Sequence, residues 1–183
     1  GIITDIQASP GSESLVVAEQ GGSFCSWNLP ESRQNWLHPA PPRAYSPVAI
    51  SQDARVCARM NHSSHAVEIF DLESQGPNLR QSFPVGDDPV WELQISSKGR
   101  RLISVPDWKS ELGKGAARPT YFWDLEQAGK GYLMLPPVDG TIFSASFSAD
   151  EQRLATGGAG HSVSLWNLNS MSEPPVTLGG HDG

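Results

Sequence analysis

The chain has 183 residues, 38% of them hydrophobic and 18% charged, which is enough for one core-forming domain and too apolar for a disordered segment. Its 18 glycines and 15 prolines lie well above ordinary usage and argue for many short elements joined by turns, against a helical bundle. The net charge of −7 is the wrong sign for a general nucleic-acid binder, so no nucleic-acid partner is expected. Two cysteines, Cys25 and Cys57, cannot build a disulfide scaffold and are expected to stay reduced. No apolar run reaches the roughly 18 residues of a membrane helix, and the first residues lack the pattern of a signal peptide. No membrane association is expected, and the expected location is cytoplasmic.

Taken in chain order, the sequence repeats. An aromatic followed by Asn or Asp and then Leu occurs as Trp27-Asn28-Leu29, Phe70-Asp71-Leu72, Trp123-Asp124-Leu125 and Trp166-Asn167-Leu168. Upstream of each stands a serine: Ser9, Ser51, Ser96 and Ser148. Six places before these serines come Ile3, Tyr45, Val90 and Ile142, three places before come Ile6, Val48, Leu93 and Ala145, and one place before come Ala8, Ile50, Ile95 and Phe147. A polar turn follows each serine, then a short apolar run at 15–18, 56–58, 102–105 and 154–155.

Each copy predicts three strands and a weaker fourth. The first alternates, so one face is buried. The second is a short covered run. The third ends at the aromatic, over about 23–28, 66–71, 119–124 and 162–167. Fourth strands are expected at 79–83, 132–135 and 176–178. Regular short strands with Gly, Pro, Asp and Ser turns indicate an all-β architecture. Only 110–117 could form a helical turn, and Gly113 and Gly115 argue against a long one.

The order of alternating strand, serine turn, L-A-T-G-like run and W-N/D-L resembles the WD-repeat β-propeller family. It is clearest in the last copy, FSADEQRLATGGAGHSVSLWNL, followed by Gly180-His181. The resemblance covers essentially the whole chain. It implies β-propeller blades: four four-stranded antiparallel units over roughly 1–43, 44–88, 89–140 and 141–183, forming one propeller segment. The family's His–Ser/Thr–Asp–Trp network is incomplete in every copy, with Gly21, Ser64 and Gly160 where the turn aspartate would stand. Four units are expected to be half of a larger ring. Three arrangements follow: a segment of a longer, multidomain protein, two copies closing one ring, or closure by four units alone. Further blades from the same chain or a second copy are therefore expected as partners.

No G-x-S-x-G, Walker A or H-E-x-x-H motif occurs, so no enzyme activity and no catalytic residue is expected. His62, His65 and Cys57 could suggest zinc, but a solvated loop with a core cysteine explains them, and no metal or other cofactor is expected. Six of the 13 basic residues fall in 98–118, but strand order divides them into two loops. Trp91 and Phe143 occupy one equivalent position in their first strands, where the other copies have Thr4 and Ser46. By the resemblance, that position lies near one mouth of the channel. The lengthened loop of the third copy opens there and carries Trp108, Lys109, Lys114 and Arg118. These six residues are the candidate partner-binding set, an aromatic patch with a basic rim. The expected function is a rigid, non-catalytic scaffold for a protein partner. The rival readings are an accessory ligand-sensing propeller that regulates an attached effector domain and, third, a propeller enzyme.

Overall fold

The computed structural model describes residues 1–11, 13–41, 45–86, 90–106, 119–127, 131–136 and 140–179. Their regular structure is entirely β. Four antiparallel sheets of four strands each follow one another in the chain, and none closes into a barrel. The first holds β1 (Ile3–Ala8), β2 (Ser14–Glu19), β3 (Phe24–Asn28) and β4 (Arg33–His38). The second holds β5 (Val48–Ile50), β6 (Val56–Asn61), β7 (Ala66–Glu73) and β8 (Gly76–Pro84). The third holds β9 (Val90–Ile95), β10 (Arg101–Pro106), β11 (Thr120–Asp124) and β12 (Leu133–Leu135). The fourth holds β13 (Ile142–Phe147), β14 (Arg153–Gly158), β15 (Val163–Asn167) and β16 (Val176–Leu178). The expected all-β set of four four-stranded blades is what the chain forms. No helix among the described residues is long and apolar enough to cross a membrane. The segment 110–117 lies outside the described residues.

The repeated residues have specific backbone duties. The signature serine ends each first strand and accepts main-chain hydrogen bonds from the start of the second. Ser9 Oγ accepts from Ser14 N, Ser51 Oγ from Val56 N, Ser96 Oγ from Arg101 N and Ser148 Oγ from Arg153 N, at 2.9–3.1 Å. In the last three copies a residue in the left-handed region stands three places after the serine, at Ala54, Gly99 and Glu151. The leucine after each aromatic anchors the other end of the third strand. Leu29, Leu72, Leu125 and Leu168 donate their N–H to the carbonyls of Glu13, Arg55, Arg100 and Gln152. Serine and leucine thus fix strand length and register in every copy.

Two compact units result. The first spans Gly1–Asp87 with Ser97–Gly99. Its two sheets stack with β1 against β5 and β4 against β8. Val16, Ala18 and Phe24 of the first sheet meet Val48, Ile50, Ala54, Cys57 and Phe70 of the second, with Trp36 and Leu72 at the margin. Each large apolar side chain in such a seam contributes roughly 1.5–3 kcal/mol. The Asp5 carboxylate accepts the Ile50 N–H across the seam at 2.9 Å. Trp36 Nε1–H donates to the Glu73 carbonyl at 3.1 Å.

The second unit spans Asp88–Ser96 with Arg100–Gly183. There β13 lies against β9 and β10. Ile103, Val105, Phe122 and Leu135 meet Ala145, Leu154, Trp166 and Leu168. The two seams are built alike. Repeat-equivalent pairs Val16 and Ile103, Ala18 and Val105 serve on the earlier sheet, and Cys57 and Leu154, Phe70 and Trp166 on the later.

The repeat aromatics Phe70, Trp123 and Trp166 are buried as expected, at 3%, 0% and 3% exposure. Trp27 departs at 39%. It stands opposite Leu15 on the face of the first sheet that looks away from the seam, and no sheet of its unit covers that face. Burial at a repeat position depends on the neighbouring sheet as much as on the residue.

Candidate functional site

Three of the four first strands carry an irregularity at one repeat position. Pairing slips between Ile3 and Asp5 in β1, between Val90 and Glu92 in β9, and between Ile142 and Ser144 in β13. The extra residues are Thr4, Trp91 and Phe143. Each is a β-bulge, which takes one residue out of the alternation and re-aims its side chain. Beyond the slip the chains stay joined, by Gln20 N to Ile2 O at 2.8 Å and Ala159 N to Thr141 O at 3.0 Å. The fourth sheet needs glycine there, because a Cβ at Gly158 would lie 2.0 Å from the Thr141 carbonyl oxygen.

The bulge explains why Trp91 and Phe143 escape the core. Phe143 is 41% exposed, whereas its neighbour Ile142 is 5% exposed. Trp91 is half-buried next to the buried Val90. Within the second unit the structure brings their strands, β9 and β13, side by side. The other four candidates, Trp108, Lys109, Lys114 and Arg118, lie outside the described residues.

A second cluster was not singled out from the sequence. Arg59, Glu68, Asn61 and His38 gather at the seam of the first unit. Arg59 Nη2 lies 2.6 Å from Glu68 Oε2, and Asn61 Nδ2 donates to Glu68 Oε1 at 2.8 Å. Arg59 Nη1 donates to the Pro39 carbonyl at 3.0 Å. The guanidinium also sits 5.1 Å from the Phe70 ring centroid and 5.8 Å from that of Phe24, within cation–π range. The His38 ring lies 4.8 Å from Phe24 and 4.9 Å from Phe70. Burial, and then the Arg59 charge, hold the His38 imidazole below its ordinary value, while Glu68 works the other way. In sequence, Arg59 directly follows the apolar run 56–58, and nothing in the spacing singles it out. The sign that could have found it is the antiparallel register, which sets Arg59 opposite Glu68.

The cluster is chemically satisfied, and its role is to hold two sheets together. Neither free cysteine is poised for reaction. Cys57 is fully buried and its thiol is pushed far above the usual range by desolvation. Cys25 is half-buried, and burial raises it too. His62 is half-buried and His65 exposed in the β6–β7 turn. Among the described residues, no three His, Cys, Asp or Glu side chains converge as a metal centre needs.

A cleft of about 370 Å³ lies on the fourth sheet, lined by Arg153, Leu165, Asn167, Asn169, Glu173 and Val176 among others. No family model and no curated protein matches the chain.

Proposed function

We propose that the chain is a non-catalytic platform for protein–protein interaction, of the WD-repeat type its sequence resembles, acting as part of a larger propeller in the cytoplasm. The observation that carries this reading is the repeated bulge. Phe143 stands exposed and Trp91 half-exposed at one equivalent position of two adjoining strands. Aromatic side chains held on a rigid sheet provide contact area at little entropic cost, and they dominate interface energetics. The basic residues Lys109, Lys114 and Arg118, with Trp108, join this proposal on the strength of the sequence resemblance alone. Two free thiols fit a reducing compartment.

The test is affinity capture from native lysate with three variants: Phe143→Asp, Trp91→Ala, and Leu79→Asp as a control on the exposed β8 of the first unit. Circular dichroism confirms that each is folded. The first two are expected to lose partners that the wild type and the control retain. Identical retention by all four proteins would sink the proposal.

A further inference from the structure

Both seams join one kind of sheet face to another. The later sheet contributes the face carrying its repeat aromatic, Phe70 or Trp166, and the earlier sheet contributes its opposite face. Each kind also occurs uncovered. On the first sheet the aromatic-bearing face holds Ile6, Leu15, Val17, Cys25, Trp27 and Leu37, joined across the strands by register. Ile6 and Leu37 are 51% and 60% exposed. On the fourth sheet the opposite face holds Ala155, Gly157, Val163, Leu165, Val176 and Leu178, with Val176 62% and Leu178 50% exposed.

We infer that copies of this chain associate head to tail, the outer face of the first sheet in one copy packing on the outer face of the fourth sheet in the next. Two contiguous apolar sheet faces left in water mark association surfaces. Their unlike character makes the contact heterologous, so face one meets face two and never itself.

Shape and charge support the second copy as occupant. In the second unit, Trp166 packs against the sheet that carries Ile103 and Phe122. The equivalent positions on the fourth sheet are Ala155 and Leu165, and Leu165 lines the open cleft. The incoming Trp27 is the equivalent of Trp166, so the cleft lies where that indole would enter. At the same end of the seam in the second unit, Glu151 of the later sheet's turn lies 3.7 Å from Arg100, beside Arg101. On the fourth sheet the residue equivalent to Arg101 is Arg153, which lines the cleft. On the first sheet the corresponding turn carries the exposed Glu13. In the same placement the next copy brings the turn that carries Glu13 to the end of the fourth sheet that holds Gln152, the equivalent of Arg100, with Arg153 beside it.

Sedimentation equilibrium of the full chain at micromolar concentration tests this. The expected mass is at least twice that of one chain. Leu37→Lys on the first sheet and Val176→Lys on the fourth should each give single chains. Both positions are exposed, so folding is not at stake, and circular dichroism checks it. An equimolar mixture of the two variants should form one-to-one pairs, because one retains an intact first sheet and the other an intact fourth. Glu13→Lys should weaken association, and adding Arg153→Glu should restore it. A single-chain mass for the wild type overturns the inference. So does association that survives either lysine, or a mixture that fails to pair.

Discussion

Arg59 and Glu68 face each other across β6 and β7 with Nη2 and Oε2 2.6 Å apart, and only 7% and 12% of their side chains reach solvent. Each loses most of its hydration on folding, and the pair compensates only while both charges remain. Removing one partner of a buried pair leaves an uncompensated charge and costs about 3–5 kcal/mol. Glu68→Gln and Arg59→Met are each expected to fall in that range by urea titration. The double variant should be less destabilised than the sum of the two, with the coupling read from a double-mutant cycle.

Trp166→Ala should cost about 3–5 kcal/mol, because the side chain is 3% exposed within the seam and its indole N–H donates to Thr156 Oγ1 at 2.9 Å. Trp27→Ala in the dissociated chain should cost much less, on the order of 1 kcal/mol, since its face is open. Equal losses at both positions in denaturant titration would contradict the packing described.

His38 predicts a pH dependence with a definite sign. The folded imidazole titrates below its usual value, chiefly through burial and then through Arg59. In the window between the folded value and the unfolded value of about 6.5, the unfolded chain binds more protons. The stabilisation is therefore complete above that window and is lost as pH falls through it. The urea midpoint should drop between about pH 7.5 and about pH 5.5, and His38→Phe should shrink the drop. An unchanged drop in the variant would show that other groups cause it.

Gly158→Ala and Gly157→Ala are neighbouring substitutions with different expected outcomes. A Cβ at Gly157 meets nothing within 4 Å, whereas one at Gly158 would collide with the Thr141 carbonyl. Thermal denaturation should show Gly158→Ala clearly destabilised, by roughly 1–3 kcal/mol as for other overpacked sites, and Gly157→Ala nearly unchanged. If the bulge carries the partner-binding face, Gly158→Ala should also weaken partner capture.

Ser96 Oγ accepts from both Arg100 N and Arg101 N, at 3.1 and 2.9 Å, and the residue is fully buried. Ser96→Ala strands those two donors and should cost about 1–3 kcal/mol. Because Ser51 plays the same part for Arg55 N and Val56 N, Ser51→Ala should cost a similar amount. A negligible loss at both positions, measured by urea titration, would remove the serine from its assigned duty.

Strand order was legible because the signature serine and the leucine after each aromatic act through the local backbone. The third strands begin and end within a residue or two of the expected bounds, and β7 runs on to Glu73. What escaped depends on partners distant in sequence. β4, RQNWLH, shows no clean alternation, yet it pairs with β3, and Trp36 closes the seam. Trp27 has the same local sequence as its buried counterparts and differs only in what lies over it. Arg59 is not singled out in the sequence, because nothing local announces Glu68, Pro39 and the two rings around it. Trp91 and Phe143 were found by position, but the reason they leave the core is a register slip, and a count of spacings does not display one.

The bulge also separates variation from stability. Thr4, Trp91 and Phe143 differ in size and polarity, while the residues flanking them keep their pairing with the adjacent strand. One site per strand is thereby released from the alternation that constrains its neighbours. A combinatorial library restricted to positions 4, 91 and 143 could therefore change surface chemistry while leaving both hydrophobic seams intact, with each randomised side chain standing at the register slip of its strand.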